Sequence, residues 1–253
     1  MAQLMVEVKN LSKSFGDHVV LDNISFNVDE GENFVVFGRS GTGKSVLLKC
    51  IVGLLEPDKG EIHVHGKNVI HLPIDEMNEV RKKIGFLFQG SALYDSMTVR
   101  ENLEFPLIRN FKFSAKEREE KVKDVLEKVG LSKAIDKKPA ELSGGMKKRV
   151  GLARTIITEP ELILYDEPTT GLDPITTKEI SQLIVELQKD LNITAIVVTH
   201  DLICAKIVAD TSIVLRAGKI RYEGEIKGLE KADDPFLKNF FSSELVDVEA
   251  GEI

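Results

Sequence analysis

Short runs of apolar residues, spaced by polar ones, dominate the first 37 residues and are typical of β-strands with a buried face. Four segments carry this pattern: MVEVK, HVVL, ISFNV and NFVVF. Turn residues occur at Phe15-Gly16-Asp17 and at Asp29-Glu30-Gly31. The chain is therefore predicted to begin with short strands.

A helix and further strands are predicted next. The apolar run SVLLKCIVGLL follows Ser45 and is expected to be stopped by Pro57 and Gly60. A hairpin is expected around GEIHVHGK, and a strand, IGFLF, at residues 84–88.

The middle of the chain has a helical pattern. Residues 112–129 are densely charged and open with the capping box Ser114-x-x-Glu117. Their apolar positions form one stripe, at Val122, Val125, Leu126 and Val129. We predict a mostly helical subdomain over residues 90–158, inserted into an α/β core that spans 1–89 and 159–225.

Strand and helix patterns alternate again after residue 158. Strand LILYD, a helix from Pro174 and strand ITAIVV predict a right-handed parallel crossover. A last hairpin is expected around Ala217-Gly218. Residues 226–253 are predicted to be a C-terminal extension with a solvated acidic end. The predicted fold class is thus α/β, as a single domain with an inserted lobe.

Composition and charge narrow the function classes. The 253 residues are 42% hydrophobic and 30% charged, and the net charge of −7 gives no basic footprint for nucleic acid. Cys50 and Cys204 lie far apart among apolar residues, which favours buried thiols in a reducing compartment. We expect no export signal and no membrane span, because the longest apolar stretch is broken by charged residues.

The segment GRSGTGKS, residues 38–45, has the spacing of a phosphate-binding loop, and we call it the phosphate loop. It lies between a predicted strand and a predicted helix, where such a loop is required. Gly41 and Gly43 allow backbone N–H groups to close on phosphates. Lys44 is placed to reach the β- and γ-phosphates, and Ser45 to ligate Mg²⁺. The alternative, a glycine-rich turn that binds nothing, gives these two side chains no purpose.

Acidic and histidine side chains follow two later strands. In LILYDEP, Asp166 ends the strand and is a candidate Mg²⁺ ligand. Glu167 is the candidate general base that activates a water molecule, and its alternative is a solvated loop carboxylate. His200 follows a strand in VVTHD. A lone histidine is more often structural, but beside the other motifs we interpret it as a γ-phosphate sensor.

A second anion cradle is predicted at ELSGGMKKRV, residues 141–150. Ser143 is a candidate helix cap, and Gly144 and Gly145 leave the first turn of the helix bare. Three basic residues follow: Lys147, Lys148 and Arg149. We call residues 143–146 the glycine turn. A chain with two anion sites needs a reason for the second.

The motifs in chain order resemble the series of the ATP-binding cassette (ABC) ATPases over about residues 5–225. They are GRSGTGKS, Gln89 after strand IGFLF, LSGGM, LILYDEP, GLD and VVTHD. The resemblance implies a P-loop NTPase core with a parallel sheet, an N-terminal antiparallel β subdomain and an inserted helical subdomain. It also implies a Mg²⁺-dependent ATPase that uses ATP.

The resemblance assigns roles to individual residues. Catalysis falls to Glu167, His200 and Lys44, and Mg²⁺ binding to Ser45, Gln89 and Asp166. The implied nucleotide-binding residues are Phe15, Gly38, Arg39, Ser40, Gly41, Thr42, Gly43, Lys44, Ser45, Val46, Gln89, Ser143, Gly144, Gly145, Met146 and Asp173.

Several of these roles involve a partner. The glycine turn would act on ATP held by a second copy, in a head-to-tail homodimer with two ATP molecules at the seam, and would supply donors opposite the γ-phosphate. Asp173 would lie at that interface, and Gln89 would also sense a membrane partner. Phe15 would stack on adenine, although the residues alone equally favour a core aromatic.

With one cassette and no coiled-coil insertion, the chain resembles a detached transporter subunit. We expect integral-membrane permease subunits as partners and a peripheral place on the cytoplasmic face of the inner membrane. Six apolar residues after Gln89 are candidates for a permease groove or for the core of the helical lobe. They are Leu93, Tyr94, Met97, Val99, Leu103 and Phe105.

Three segments look most like the ATPase of Mla-type phospholipid transporters: LFQGSALYDSMTVRENLEFPL, ELSGGMKKRVGLARTI and YDEPTTGLDPIT. That resemblance implies lipid movement between inner and outer membranes, with an Mce-domain lipid-binding protein as a further partner. The alternatives are an ATPase of another importer or exporter, for an ion, amino acid or lipoprotein, or a non-transport ABC ATPase. Most cassettes have Gln at Met146 and a serine-alanine pair at Thr170-Gly171.

Overall fold

Two β-sheets form the frame of the computed structural model, which describes residues 3–229. The strands of the first sheet are β1 (Leu4–Phe15), β2 (His18–Asp29), β4 (Lys59–Val64) and β5 (Lys67–Asn68). The strands of the second are β3 (Asn33–Phe37), β6 (Ile84–Leu87), β7 (Leu162–Asp166), β8 (Thr194–Thr199), β9 (Thr211–Arg216) and β10 (Lys219–Gly224). The first sheet is antiparallel in the order β2-β1-β4-β5. The second has the order β10-β9-β3-β8-β7-β6 and is parallel except between β9 and β10.

Helices surround the six-stranded sheet. They are α1 (Lys44–Ile51), α2 (Ile74–Lys82), α3 (Val99–Asn110), α4 (Ala115–Lys128), α5 (Gly144–Ile156), α6 (Pro174–Leu191), α7 (Leu202–Val208) and α8 (Ile226–Leu229). Within the described part of the chain, no helix is both long and apolar enough to cross a membrane. The predicted C-terminal extension, 226–253, lies outside the described residues beyond α8.

The six-stranded sheet separates two apolar clusters because successive strand residues face opposite sides. In β3, Val35 and Phe37 join the cluster that contains helices α3 to α7. Phe34 and Val36 join the cluster formed with α1 and the antiparallel sheet. Burial on both faces explains why NFVVF and LILYD are apolar almost throughout.

The antiparallel sheet differs from the sequence prediction in its strand lengths. HVVL and ISFNV are not separate strands but parts of the continuous β2. The apolar pattern is interrupted between Leu21 and Ile24, where the pairing of β1 with β2 is irregular and Asn23 takes a positive φ of 55°. Such a φ is tolerated best by asparagine among residues with a side chain.

Two helices also differ from prediction. Helix α1 ends at Ile51, well before Pro57, because Gly53 adopts a left-handed φ of 66° just after it. Helix α2 was not predicted. It follows Pro73 and buries only Met77, so its apolar stripe is too narrow for periodicity to detect.

The helices between β6 and β7 pack as one lobe. Both α3 and α4 open with capping boxes, at Thr98 with Glu101 and at Ser114 with Glu117. The stripe predicted in α4 is buried, at Val122, Val125, Leu126 and Val129. This lobe carries the glycine turn at the start of α5 and so sets where that turn lies relative to the sheet.

Candidate active site

The phosphate loop connects β3 to α1. Gly41 and Gly43 have positive φ of 81° and 100°. A Cβ on Gly43 would lie 2.8 Å from the backbone oxygen of Val20, so only glycine lets the helix start against β2. Thr42 Oγ1 donates to the Arg39 carbonyl at 2.9 Å, which fixes the loop, while Ser40 is exposed and Val46 half-buried. The loop therefore directs the free N–H groups of a helix N-terminus and the Lys44 side chain to one place.

Lys44 is buried within this loop. Its ammonium donates to the carbonyls of Gly38 and Arg39 at 2.7 and 3.1 Å and pairs with Glu167 Oε1 at 3.2 Å. A buried cation surrounded by helix N–H groups fits a polyphosphate, which bears negative charge and many acceptors. The loop thus suits the nucleotide that its sequence predicts.

Ser45 and Asp166 meet across two elements. Asp166 ends β7 and is buried, and Ser45 Oγ donates to its Oδ1 at 2.7 Å. An alcohol and a carboxylate at this spacing are the hard oxygen ligands that Mg²⁺ prefers. These two residues therefore fit a Mg²⁺ ion beside the phosphate loop.

Glu167 follows Asp166 with an unusual backbone. Its φ is +51°, and its N–H donates to the Val198 carbonyl at 3.0 Å. The carboxylate is buried between Lys44 and His200, whose Nδ1 lies 2.8 Å from Oε2. The hydroxyl of Thr170, which sequence reasoning missed, is 3.5 Å from the same oxygen. The alternative of a solvated loop carboxylate is therefore wrong for Glu167.

His200 reaches this site because β7 and β8 pair in parallel. The register opposes Asp166 to Val198, so both strands end at the same edge of the sheet. The backbone N–H of His200 also faces Glu167 Oε2, at 3.3 Å. The imidazole side chain is 44% exposed and so remains accessible to a ligand.

Lys148 is buried, although the sequence suggested a basic side chain beside an anion. Its Nζ donates to the Gln89 carbonyl at 2.5 Å and lies 3.4 Å from the Glu167 carbonyl. Burial lowers the pKa of Lys148, and the negative charges of Glu167 and Asp166 oppose that effect. Arg149 also turns away, toward Val129 O and Glu179. The predicted basic lining of the second cradle is therefore wrong at these two positions.

The glycine turn packs on the start of α6. Ser143 Oγ accepts from Met146 N–H at 3.3 Å, which confirms the predicted cap. A Cβ on Gly145 would lie 2.8 Å from Thr176 Cγ2. Asp173 caps α6 by accepting from the N–H groups of Ile175 and Thr176, both at 3.0 Å.

The glycine turn and the phosphate loop belong to different elements, the start of α5 and the connection from β3 to α1. Across residues 3–229, the hydrogen bonds that gather Lys44, Ser45, Asp166, Glu167 and His200 do not involve the glycine turn. Ser143 and Gly144 are exposed. The turn is open to a ligand that its own chain does not place there.

The aromatic and apolar candidates divide into exposed and buried residues. Phe15 is 50% exposed at the end of β1, with Lys13 Nζ 5.5 Å from its ring centroid, so a core position is wrong. Val99 and Leu103 are fully buried and belong to the core of the helical lobe. Tyr94 is exposed, and its ring centroid lies 4.9 Å from that of Phe105.

Comparisons with known proteins agree with this geometry. The family model described as ABC transporter matches residues 21–170. The probable ribonucleotide transport ATP-binding protein mkl of Mycobacterium leprae is 39% identical over 94% of this chain and 68% of its own length. The methionine import ATP-binding protein MetN of Clostridium tetani is 41% identical over 95% of this chain and 75% of its own length.

Solved structures show the same fold. A dimeric ATP-binding cassette in a post-hydrolysis state, bound to ADP and Pi, aligns with a TM-score of 0.80 at 35% identity and covers 88% of this chain and 99% of that one. The cbiO1 protein of Clostridium perfringens, part of the ABC transporter complex cbiONQ, aligns with a TM-score of 0.83 at 30% identity, over 96% and 99%. These alignments confirm the predicted fold class.

Proposed function

Since this chain belongs to the ABC transporter family, as an ATP-hydrolysing enzyme that uses ATP and Mg²⁺, we propose that it powers a membrane transporter by closing two copies of itself around ATP. One observation carries the proposal: the phosphate loop, Asp166, Glu167 and His200 meet at one edge of the sheet, within hydrogen-bond distances of each other. This arrangement suits phosphoryl transfer to water.

Binding falls to residues at the start of α1 and the end of β7. Lys44 and the loop N–H groups hold the β- and γ-phosphates, and the exposed ring of Phe15 stacks on adenine. Ser45, Asp166 and Gln89 would hold Mg²⁺. When bound, Mg²⁺ neutralises charge that develops on the phosphate oxygens.

Glu167 acts as the general base. Its carboxylate accepts the proton of the attacking water, while His200 and Lys44 fix its direction. His200 would direct the exposed side of its ring toward the γ-phosphate. Burial between these two groups keeps the carboxylate from turning into solvent.

The second copy supplies the far side of the site. The glycine turn offers Ser143 and the N–H groups of Gly144 and Gly145 to the γ-phosphate bound by the partner, next to Met146 and Asp173. The exposure of Ser143 and Gly144 supports this arrangement, and a solved relative is a dimeric cassette. ATP binding then closes the dimer and hydrolysis opens it.

A substitution at Glu167 tests the enzymatic core of the proposal. Glu167→Gln is expected to slow phosphate release by about 10²- to 10⁴-fold, the usual contribution of a general base, with ATP binding retained. Glu161→Gln, at an exposed carboxylate just before β7, is the matched control and should leave turnover unchanged. Unchanged phosphate release in Glu167→Gln would remove Glu167 from this role.

We further propose a phospholipid cargo, with permease subunits and an Mce-domain protein as partners on the cytoplasmic face of the inner membrane. The three segments that look like Mla-type ATPases support this choice. The name of the 41% identical relative favours a second candidate, an amino-acid importer such as one for methionine. Co-purification from membranes, followed by lipid analysis and transport assays with phospholipid and with methionine, separates the two. Methionine-stimulated turnover without lipid movement would exclude the phospholipid proposal.

The permease is proposed to dock in a groove between β6, α3 and α5. The groove is lined by residues that include Phe86, Phe88, Pro106, Phe111 and Arg154. Phe88 is 40% exposed and offers an apolar contact. Phe88→Ser is expected to weaken co-purification with the permease, whereas Leu54→Ser, at a 53% exposed residue outside the groove, should not. Equal permease recovery with both variants would exclude this groove.

A further inference from the structure

We propose that Lys148 is a positioning residue that ties the loop carrying Gln89 to the backbone of Glu167, so that movement of the loop shifts the general base. The inference rests on the proposed function, because it concerns the regulation of that same site. It gives Lys148 a role that its place among the basic residues after the glycine turn did not suggest.

The face of α5 that carries Lys148 is held tightly against β6. Lys148, Gly151 and Thr155 recur at the spacing of one helix face. A Cβ on Gly151 would lie 2.8 Å from Leu87 Cδ1, and one on Gly85 would lie 2.6 Å from Thr155 Cγ2. The two glycines therefore permit a close approach, and α5 has little freedom to slide along the strand.

Lys148 joins two segments that are distant in sequence. Its ammonium donates to the Gln89 carbonyl at 2.5 Å and contacts the Glu167 carbonyl at 3.4 Å. A buried ammonium needs hydrogen-bond acceptors to offset the loss of water. Lys148 and the two carbonyls therefore fix each other's positions. The shorter bond is to the loop, which makes the loop the stronger anchor.

The backbone of Glu167 depends on such contacts. A φ of +51° is unfavourable for glutamate and persists only where the surroundings maintain it. The N–H of Glu167 is held by Val198 O, and its carbonyl accepts from Thr170 N–H at 3.3 Å as well as contacting Lys148. Loss of the Lys148 contact is expected to let this peptide turn and to move the carboxylate relative to His200.

Two side chains of α5 donate hydrogen bonds to the loop after β6. Arg154 donates to the Ala92 carbonyl at 2.7 Å, and Lys148 donates to Gln89. Ser91 and Ala92 have positive φ of 61° and 47°, so the backbone turns sharply between these two hydrogen bonds. Phe88, in the groove proposed for the permease, immediately precedes Gln89. A displacement at the groove is therefore expected to reach Glu167 through Lys148, first by its hydrogen bond to Gln89 and then by its contact with the Glu167 carbonyl.

The first test compares three variants in the nucleotide-free chain by amide hydrogen exchange. Lys148→Met is expected to speed exchange about tenfold in peptides covering 88–92 and 167–171, with α6 unchanged. Lys148→Arg, which retains donors, should restore much of the protection. Val150→Ala, on the same helix at a fully buried residue, controls for general destabilisation and should not loosen those two segments selectively. Unchanged exchange in both segments of Lys148→Met would overturn the inference.

The second test measures whether Lys148→Met changes kcat or KM. Lys148→Met is expected to lower kcat about 10- to 100-fold, with KM and ATP affinity within about twofold of the unmodified chain. Lys148→Arg should recover most of kcat. An equal loss of kcat in Val150→Ala at matched stability would reduce Lys148 to a packing role. Failure of Glu167→Gln to slow turnover would instead refute the proposed base and is measured separately.

Discussion

The phosphate loop and the glycine turn are both glycine-containing helix starts, but their surroundings differ. Both place glycines at the open N-terminus of a helix, α1 or α5. The phosphate loop brings Lys44 and Ser45 into contact with Glu167 and Asp166 within one chain. The glycine turn packs on α6 at Gly145 and leaves Ser143 and Gly144 exposed. Under the proposed function, the phosphate loop belongs to a site that one chain nearly completes, and the glycine turn acts only on a nucleotide held by another copy.

The largest expected effect on this comparison comes from Lys44. Lys44→Met removes the charged donor that the phosphate loop directs at the phosphates, so ATP affinity should fall about 10- to 100-fold. Equilibrium dialysis of the isolated chain with ATP measures this. Lys147→Met, beside the glycine turn, is the control and should leave single-chain affinity unchanged. Equal losses in both variants would erase the distinction between the two segments.

A smaller effect is expected at His200. His200→Ala removes the imidazole 2.8 Å from Glu167 Oε2, and kcat should fall about tenfold or more while ATP affinity changes little. Steady-state phosphate release with parallel binding measurements separates the two quantities. A rise in KM at constant kcat would assign His200 to substrate binding instead.

The smallest effect separates the two glycines of the turn. A Cβ on Gly145 would meet Thr176 Cγ2 at 2.8 Å, and Thr176 cannot rotate freely because its hydroxyl donates to Asp173 at 2.6 Å. A Cβ on Gly144 would meet Leu172 at an ordinary 3.6 Å. The free energy of unfolding of Gly145→Ala is therefore expected to be about 1–2 kcal/mol lower than that of Gly144→Ala. Equal stability in denaturant titrations would show that the contact with α6 is loose.

Much of the fold follows from the sequence because its signals are local. The phosphate loop lies between an apolar strand and a helix start, and LILYD ends on Asp166. The local sequence therefore predicts that both segments lie at the edge of the sheet. Capping at Ser114 and Ser143 likewise depends on residues within one turn. Strand continuity in β2 was missed because bulges are set by pairing with β1, which the local pattern does not contain.

The site contacts that escaped prediction depend on long-range packing. Lys148 reads as a surface cation, and its inward direction follows only from the approach of α5 to β6 at Gly151. The contact of Thr170 with Glu167 depends on a positive φ that no sequence pattern predicts for glutamate. Asp173 shows the reverse case, because its cap on α6 is visible in the sequence Asp-Pro-x-Thr and gives it a structural role in a single chain.

We propose that the glycine turn of one copy completes the site of another. The most direct measurement is the ATP-dependent mass of Glu167→Gln with and without Ser143→Arg, by light scattering, together with ATP bound per chain. We expect a dimer with Mg²⁺ and ATP for Glu167→Gln, and a monomer that still binds one ATP per chain for the double variant. Loss of ATP binding by the monomeric double variant would place the glycine turn in its own chain's site and contradict the claim.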